Sequence, residues 1–193
     1  MSNIILTDCD GVLVDWRNPF YAWMYERGHT RNTTLVTKHV YEQYGISQED
    51  ALQCMIDFNR SADIGFLPPM RDSVKYVRKL HEEYGYVFRV ITCLGQNFYS
   101  ATLRSENLRR LYGSAIDTIT FLHITDTKEA ALSQYRNSKL FWIEDNAFNA
   151  ASGVLSGLNS LLMTHDYNVN DTLASGVEKV STWQEIYNKI TGQ

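Results

Sequence analysis

Ile4-Ile5-Leu6-Thr7-Asp8-Cys9-Asp10-Gly11-Val12 is the stretch on which the reading of this chain turns. Its apolar run is too short for an ordinary helix and stops at two carboxylates one residue apart, with glycine directly after. Such a run, bounded by a turn signal, reads as a buried strand. Side chains alternate along a strand, so Asp8 and Asp10 point the same way if the extended geometry persists. Gly11 lets the backbone turn sharply and leaves room for a ligand to come close. At an effective dielectric of roughly 20, two carboxylates about 4 Å apart repel by about 4 kcal/mol. A shared proton or a cation must offset that. Among cations, a hard dication such as magnesium suits carboxylate and carbonyl oxygens best.

Working outward, residues 16–74 carry helical spacing and no strand. Pro19 opens a helix through Phe20, Trp23 and Met24 to Gly28; a second carries Leu35, Val36, His39, Val40 and Tyr44 to Gly45. Ser47 with Asp50 reads as a capping box for a third, through Met55 and Phe58. Pro68-Pro69 closes this insertion. Beyond it Asp72 or Ser73 caps a helix ending near Gly85, and strands at 86–92, 119–123, 140–143 and 160–163 alternate with helices to the chain end. That rhythm predicts an α/β fold: a doubly wound parallel sheet, Rossmann-like, with 1–15 and 75–193 as its core and 16–74 as a small helical insertion after the first strand. Ligands of such sheets bind at the carboxyl ends of the strands. Asp8 and Asp10, Thr92, and Glu144 and Asp145 stand at three of those ends.

The 193 residues have room for one domain, or one with an insertion. Hydrophobic content of 44% and aromatic content of 12% suffice for a core and exclude global disorder. A net charge of -4 argues against wholesale binding to nucleic acid or anionic membrane, while leaving a small anionic substrate open. Three cysteines, Cys9, Cys54 and Cys93, show no metal-ligand spacing, so a reducing cytoplasmic compartment is expected. The first apolar run lacks a basic flank and ends in aspartates, so it does not read as a signal peptide. No stretch has the length of a membrane span. Unpaired histidines disfavour zinc. Oligomeric state has no signature.

Asp8-Cys9-Asp10-Gly11-Val12-Leu13-Val14-Asp15 after its apolar strand resembles the first motif of the haloacid dehalogenase superfamily, most members of which are magnesium-dependent phosphatases. The resemblance implies Asp8 as nucleophile, forming an aspartyl-phosphate, and Asp10 as general acid and base. Asp10 also argues against carbon–halogen cleavage, since the dehalogenases usually lack a carboxylate there. Ile143-Glu144-Asp145-Asn146 resembles the fourth motif: Mg2+ is implied, held by Asp8, Asp145 and the backbone carbonyl of Asp10, with Glu144 bound directly or through water. Thr92 after Val90-Ile91 matches the phosphate-binding hydroxyl of the second motif, with Cys93 beside it at the mouth of the crevice. Lys128, in Thr125-Asp126-Thr127-Lys128-Glu129 at a helix start, best resembles the phosphate-side lysine of the third motif, with Lys139 as its rival.

An insertion directly after the first motif is what the family calls a C1 cap, a lid that sets specificity. Asp15-Trp16 and Gly65-Phe66-Leu67-Pro68-Pro69 are similar to the 5'(3')-deoxyribonucleotidases, where an aromatic at the Trp16 position stacks on the nucleobase. The expected activity is hydrolysis of a small organic phosphate ester, with a deoxynucleoside monophosphate as one substrate class. A phosphatase or phosphomutase on sugar phosphates, and a non-catalytic module retaining the fold, are the alternatives.

Overall fold

A computed structural model describes residues 3–193. Six strands form one sheet in the order β3-β2-β1-β4-β5-β6, every pair parallel: β1 Ile4–Thr7, β2 Val87–Cys93, β3 Ile116–Leu122, β4 Phe141–Glu144, β5 Asn159–Met163 and β6 Val177–Val180. β1 lies centrally, Leu6 opposite Arg89 of β2 and Trp142 of β4, so Asp8 emerges between two strand ends. The strand order reverses direction at β1, and that is where a crevice opens in such sheets.

Alternation along the strands builds two cores. Ile5, Phe88, Val90, Ile143 and Leu161 face one side, beneath α4 (Ser73–Tyr84), α5 (Phe98–Tyr112) and α8 (Trp183–Thr191). Leu6, Ile91 and Trp142 face the other, with Ala131 and Leu132 of α6 (Glu129–Leu132). α7 (Ala147–Leu155) also packs there; a β-carbon on its Gly153 would sit 2.4 Å from Trp142 Cδ1, so only glycine lets it come so close.

The chain leaves the sheet after Asp15 and returns at Pro68 through two adjacent crossings. The Asp15 amide donates to the Pro68 carbonyl (2.9 Å) and the Met70 amide to that of Leu13 (2.8 Å). Between them run α1 (Arg17–Glu26), α2 (Val40–Tyr44), α3 (Gln48–Asn59) and a short 3-10 turn, joined by aromatic packing of Trp16, Phe20, Trp23, Tyr44 and Phe58.

Local expectations fail at several places. β6 is an extra strand: Glu178 and Lys179 stand exposed on the sheet edge, so it lacks the apolar pattern that marks a strand in sequence. The second helix begins only at Val40, because Leu35 and Val36 lie in solvent with no core to face. β3 starts at Ile116 and stops before His123, and the helix at Lys128 shrinks to Glu129–Leu132 and a 3-10 turn. Neither Asp72 nor Ser73 caps α4 with its side chain. Ser73 Oγ bonds the Met70 carbonyl (2.7 Å) and lies 2.7 Å from the Tyr112 hydroxyl.

Candidate active site

The loop after β1 is pinned before any ligand arrives. Leu13 and Val14 amides return to the Cys9 carbonyl (2.8 and 3.0 Å). Trp183 Nε1 of α8 donates to the Val12 carbonyl (2.8 Å) and His165 Nε2 to that of Gly11 (2.7 Å). Gly11 has φ of 74°, and a β-carbon there would meet Asp145 Oδ2 at 2.4 Å and the Tyr167 hydroxyl at 2.8 Å. Glycine is required twice, for its backbone and for its missing side chain.

Onto this loop converge groups from three strand ends. Asp8, Glu144 and Asp145 each offer a carboxylate oxygen, all within 4.8 Å of one another. Lys128, at the start of α6, is buried between two of them: its Nζ lies 2.6 Å from Asp8 Oδ1 and donates to Glu144 Oε2 at 2.8 Å. Lys139 is not here. It precedes β4 at the opposite end, where its carbonyl accepts from Asn159. Glu144 is fully engaged: Oε1 accepts from the amides of Asp145 (3.2 Å) and Asn146 (3.0 Å), leaving Oε2 to Lys128.

Burial and mutual repulsion act together on these acids. Burial, then Glu144, pushes the Asp8 carboxyl up against the pull of Lys128; burial likewise raises Glu144. Asp145 is pushed up to about 6, chiefly by burial and then by Asp8. Burial opposes the charge on Lys128, but Asp8 and Glu144 more than offset it, so the ammonium stays protonated. Three carboxylates against one ammonium leave two negative charges in excess. An all-oxygen cluster with that excess fits a hard dication.

Asp10 stands apart from the cluster. Its Oδ1 is held by Arg104 Nη1 of α5, which also contacts Cys9 Sγ (2.8 Å). Arg104 is fully buried while the Asp10 side chain keeps 28% of its exposure. One oxygen of Asp10 is thus anchored from below and the other is free toward the cavity. Thr92 is buried at the end of β2, and its hydroxyl has no partner among the described residues. Thr92 is not among the residues that line the cavity; its neighbour Cys93 is, with its thiol donating to the Asp126 carbonyl (3.5 Å). Burial raises that thiol to about 11 and the Cys9 thiol to about 12, and all three cysteines are free, so neither is an activated nucleophile.

Above the acids opens a cavity of about 680 Å³, floored by Asp8, Asp10 and Asp145 and walled by residues of 15–55 and the loop after β5. Trp16 lines it, stacked on Phe20 at 4.5 Å and donating from Nε1 to Asn59 (2.8 Å).

Arg104, Tyr167 and Asn168 are site residues that sequence reasoning misses. The Tyr167 hydroxyl donates to Asp145 Oδ2 (2.5 Å), and Asn168 Nδ2 to the Asp145 carbonyl (2.7 Å). Both follow β5, a strand end like those already singled out. Arg104 lies four residues before buried Leu108 on one helical face, the single hint that it points inward.

No family model matches the chain. An uncharacterized 32.4 kDa protein of Enterobacteria phage T4 is 24% identical over 200 aligned residues, covering 98% of this chain and 70% of that protein. Solved structures match in shape at low identity. CbbY from Rhodobacter sphaeroides in complex with phosphate has a TM-score of 0.61 and 13% identity, over 96% of each chain. A HAD family hydrolase from Deinococcus radiodurans with bound phosphate and sodium has 0.60 and 17%, over 99% of this chain and 96% of that one. D,D-heptose 1,7-bisphosphate phosphatase from Burkholderia thailandensis has 0.59 and 10%, over 98% and 99%. With its parallel sheet and its acids at the strand ends, the chain has the fold of the haloacid dehalogenase-like hydrolases.

Proposed function

We propose that the protein is a phosphomonoesterase that hydrolyses a small organic phosphate ester through Asp8. The observation that carries this reading is the buried Asp8 carboxylate, fixed by Lys128 and the Cys9 amide (2.6 Å to Oδ1) at the floor of an open cavity. A carboxylate held so rigidly serves as an attacking group, and phosphoryl transfer needs little beyond positioning and charge stabilisation.

In this reading Asp8 attacks phosphorus in line and forms an aspartyl-phosphate, while the leaving alkoxide takes a proton from the free oxygen of Asp10. Asp10 then deprotonates the water that releases phosphate. Arg104 holds the other oxygen and keeps Asp10 aimed. Lys128 balances charge at Asp8, and the orphan Thr92 hydroxyl supplies a donor for a phosphoryl oxygen. Mg2+ suits the cluster: Asp8, Asp145 and the Asp10 carbonyl would hold it, with Glu144, engaged by Lys128, acting from behind. When bound it would offset negative charge gathering on the phosphoryl oxygens.

Residues 16–74 act as a cap: their backbone joins the sheet through two adjacent hydrogen-bonded crossings, and their far end is braced on α5, where Asn107 donates to the Leu67 carbonyl (3.1 Å) and Arg110 to that of Gly65. A cap of this kind excludes water and sets specificity. The cavity has the size of a nucleotide or sugar phosphate, and Trp16 offers an aromatic wall for a flat base. Hydrolysis of a chromogenic aryl phosphate tests the activity. Wild type with Mg2+ should turn over, while EDTA treatment and Asp8→Asn should each abolish it. Equal activity of wild type and Asp8→Asn would refute the mechanism.

A further inference from the structure

Two arginines on the cavity wall have no acidic partner among the described residues. Arg17 Nη1 donates to the Tyr21 hydroxyl (3.0 Å) and Nη2 to the Lys38 carbonyl (3.3 Å), and the guanidinium lies 3.7 Å above the Tyr167 ring. Arg31 lies 3.9 Å above the opposite partner, the ring of Tyr21 itself. One tyrosine therefore organises two guanidiniums, and all three residues line the cavity that Asp8 floors.

The acids nearby are engaged elsewhere. Asp15 accepts from the Asn18 amide (3.1 Å) and side chain (2.6 Å), and Asp166 from the Tyr167 amide (2.8 Å). Lys38, the third cation of the wall, pairs with Asp171 at 3.1 Å. Ring faces hold a guanidinium in place without neutralising it. The Arg31 fork makes no hydrogen bond among the described residues, and Arg17 keeps one N–H on each Nη and its Nε, so both can grip a phosphate or carboxylate.

We propose that Arg17 and Arg31 form a subsite for a second anionic group of the substrate, a phosphate or a carboxylate remote from the ester that is cleaved. This deepens the phosphomonoesterase reading and rests on it. The acidic floor takes the reacting phosphate with its cation, and the basic wall takes the far end. The substrate class is thus a doubly anionic ester, a bisphosphate or a phosphorylated acid, and the charge separation fixes which end enters first.

Calorimetry on the wild-type protein with Mg2+ tests this, using alkane α,ω-bisphosphonates of increasing length against alkyl monophosphonates of the same lengths. Carbon–phosphorus bonds are not hydrolysed, so binding is read alone. A bisphosphonate that spans the cavity should bind about tenfold tighter or more than its monophosphonate. Alkyl phosphonates ending in a carboxylate tell whether the wall prefers phosphate. Arg17→Gln and Arg31→Gln should each bring the ratio toward one; Arg31 donates no hydrogen bond within the described residues, so Arg31→Gln keeps the test open should Arg17→Gln misfold. Equal affinities at every length, or a ratio unmoved by Arg31→Gln, overturn the subsite. If monophosphonates bind and second anions add nothing, the subsite alone falls. If no phosphonate binds, the phosphoester reading falls with it.

Discussion

The floor of the cavity and its wall hold their charges in different ways. On the floor, Lys128 sits within 2.8 Å of both Asp8 and Glu144, and Arg104 is locked to Asp10. All but Asp10 are buried, and each depends on its partner. On the wall, Arg17 and Arg31 rest on tyrosine rings, partly exposed, with no carboxylate paired to them among the described residues. A buried charge must be matched within the protein because desolvation there costs several kcal/mol per ion. A charge at a wet wall can await a ligand. Fixed chemistry therefore belongs at the floor and selectivity at the wall.

Breaking the floor should have the largest effect. Lys128→Met leaves Asp8 and Glu144 buried without their cation, at a cost of about 3–5 kcal/mol. For a chain of this size that is a fall in Tm of about 6–20 °C at neutral pH. Thermal denaturation measures it, and the deficit should narrow as the acids protonate at lower pH. A shift under about 2 °C would mean the pairing does not hold the floor together.

Next comes the anchor of Asp10. Arg104→Met should lower kcat about 10²–10⁴-fold, the usual range for losing a general acid, with KM little changed. A merely structural loss would slow all esters alike. Here alkyl phosphates, whose leaving groups need a proton, should suffer far more than aryl phosphates.

Metal and pH sharpen the contrast further. Asp8, Glu144 and Asp145 all have folded pKa values raised above their unfolded ones, Asp145 to about 6. Their contribution to stability is fully present below the ordinary carboxylate range and is lost as pH rises through their folded values, about 6 for Asp145. From Asp145 alone, the metal-free protein should therefore lose stability between about pH 4 and 6. Mg2+ at about 100 times its Kd at pH 7.5 should restore about 2.7 kcal/mol there, and the same concentration should restore less at pH 5.5. A Mg2+ increment independent of pH would detach the metal from these acids.

The smallest effect concerns Thr92. Its hydroxyl makes no bond to lose among the described residues, so Thr92→Val should leave stability unchanged or raise it by about 1 kcal/mol at most. Its phosphate affinity, read by calorimetry, should fall.

The sequence announces the floor better than the wall. Asp8, Asp10, Thr92, Glu144 and Asp145 each follow an apolar strand directly, so a local pattern places them at one sheet edge. Lys128 is legible because a helix start follows a strand. Arg104 is not, because an arginine in a helix that also carries Arg109 and Arg110 reads as solvated, and only packing against Cys9 and Asp10 draws it inward. Tyr167 sits in a loop, and its partner Asp145 is 22 residues away. β6 escapes notice because an edge strand needs polar residues. Arg17 and Arg31 meet through Tyr21, a contact set by how α1 and the loop beyond it pack, which no short window of residues encodes.

Glu144 has a consequence for descent as well as for chemistry. Both its oxygens are occupied, one by Lys128 and one by the turn into α7. An aspartate there would be one methylene short and could not span both. Relatives that carry aspartate at this position should draw their lysine from another point along the backbone, so the two sites should drift in concert, a signature that aligned sequences would display without any assay.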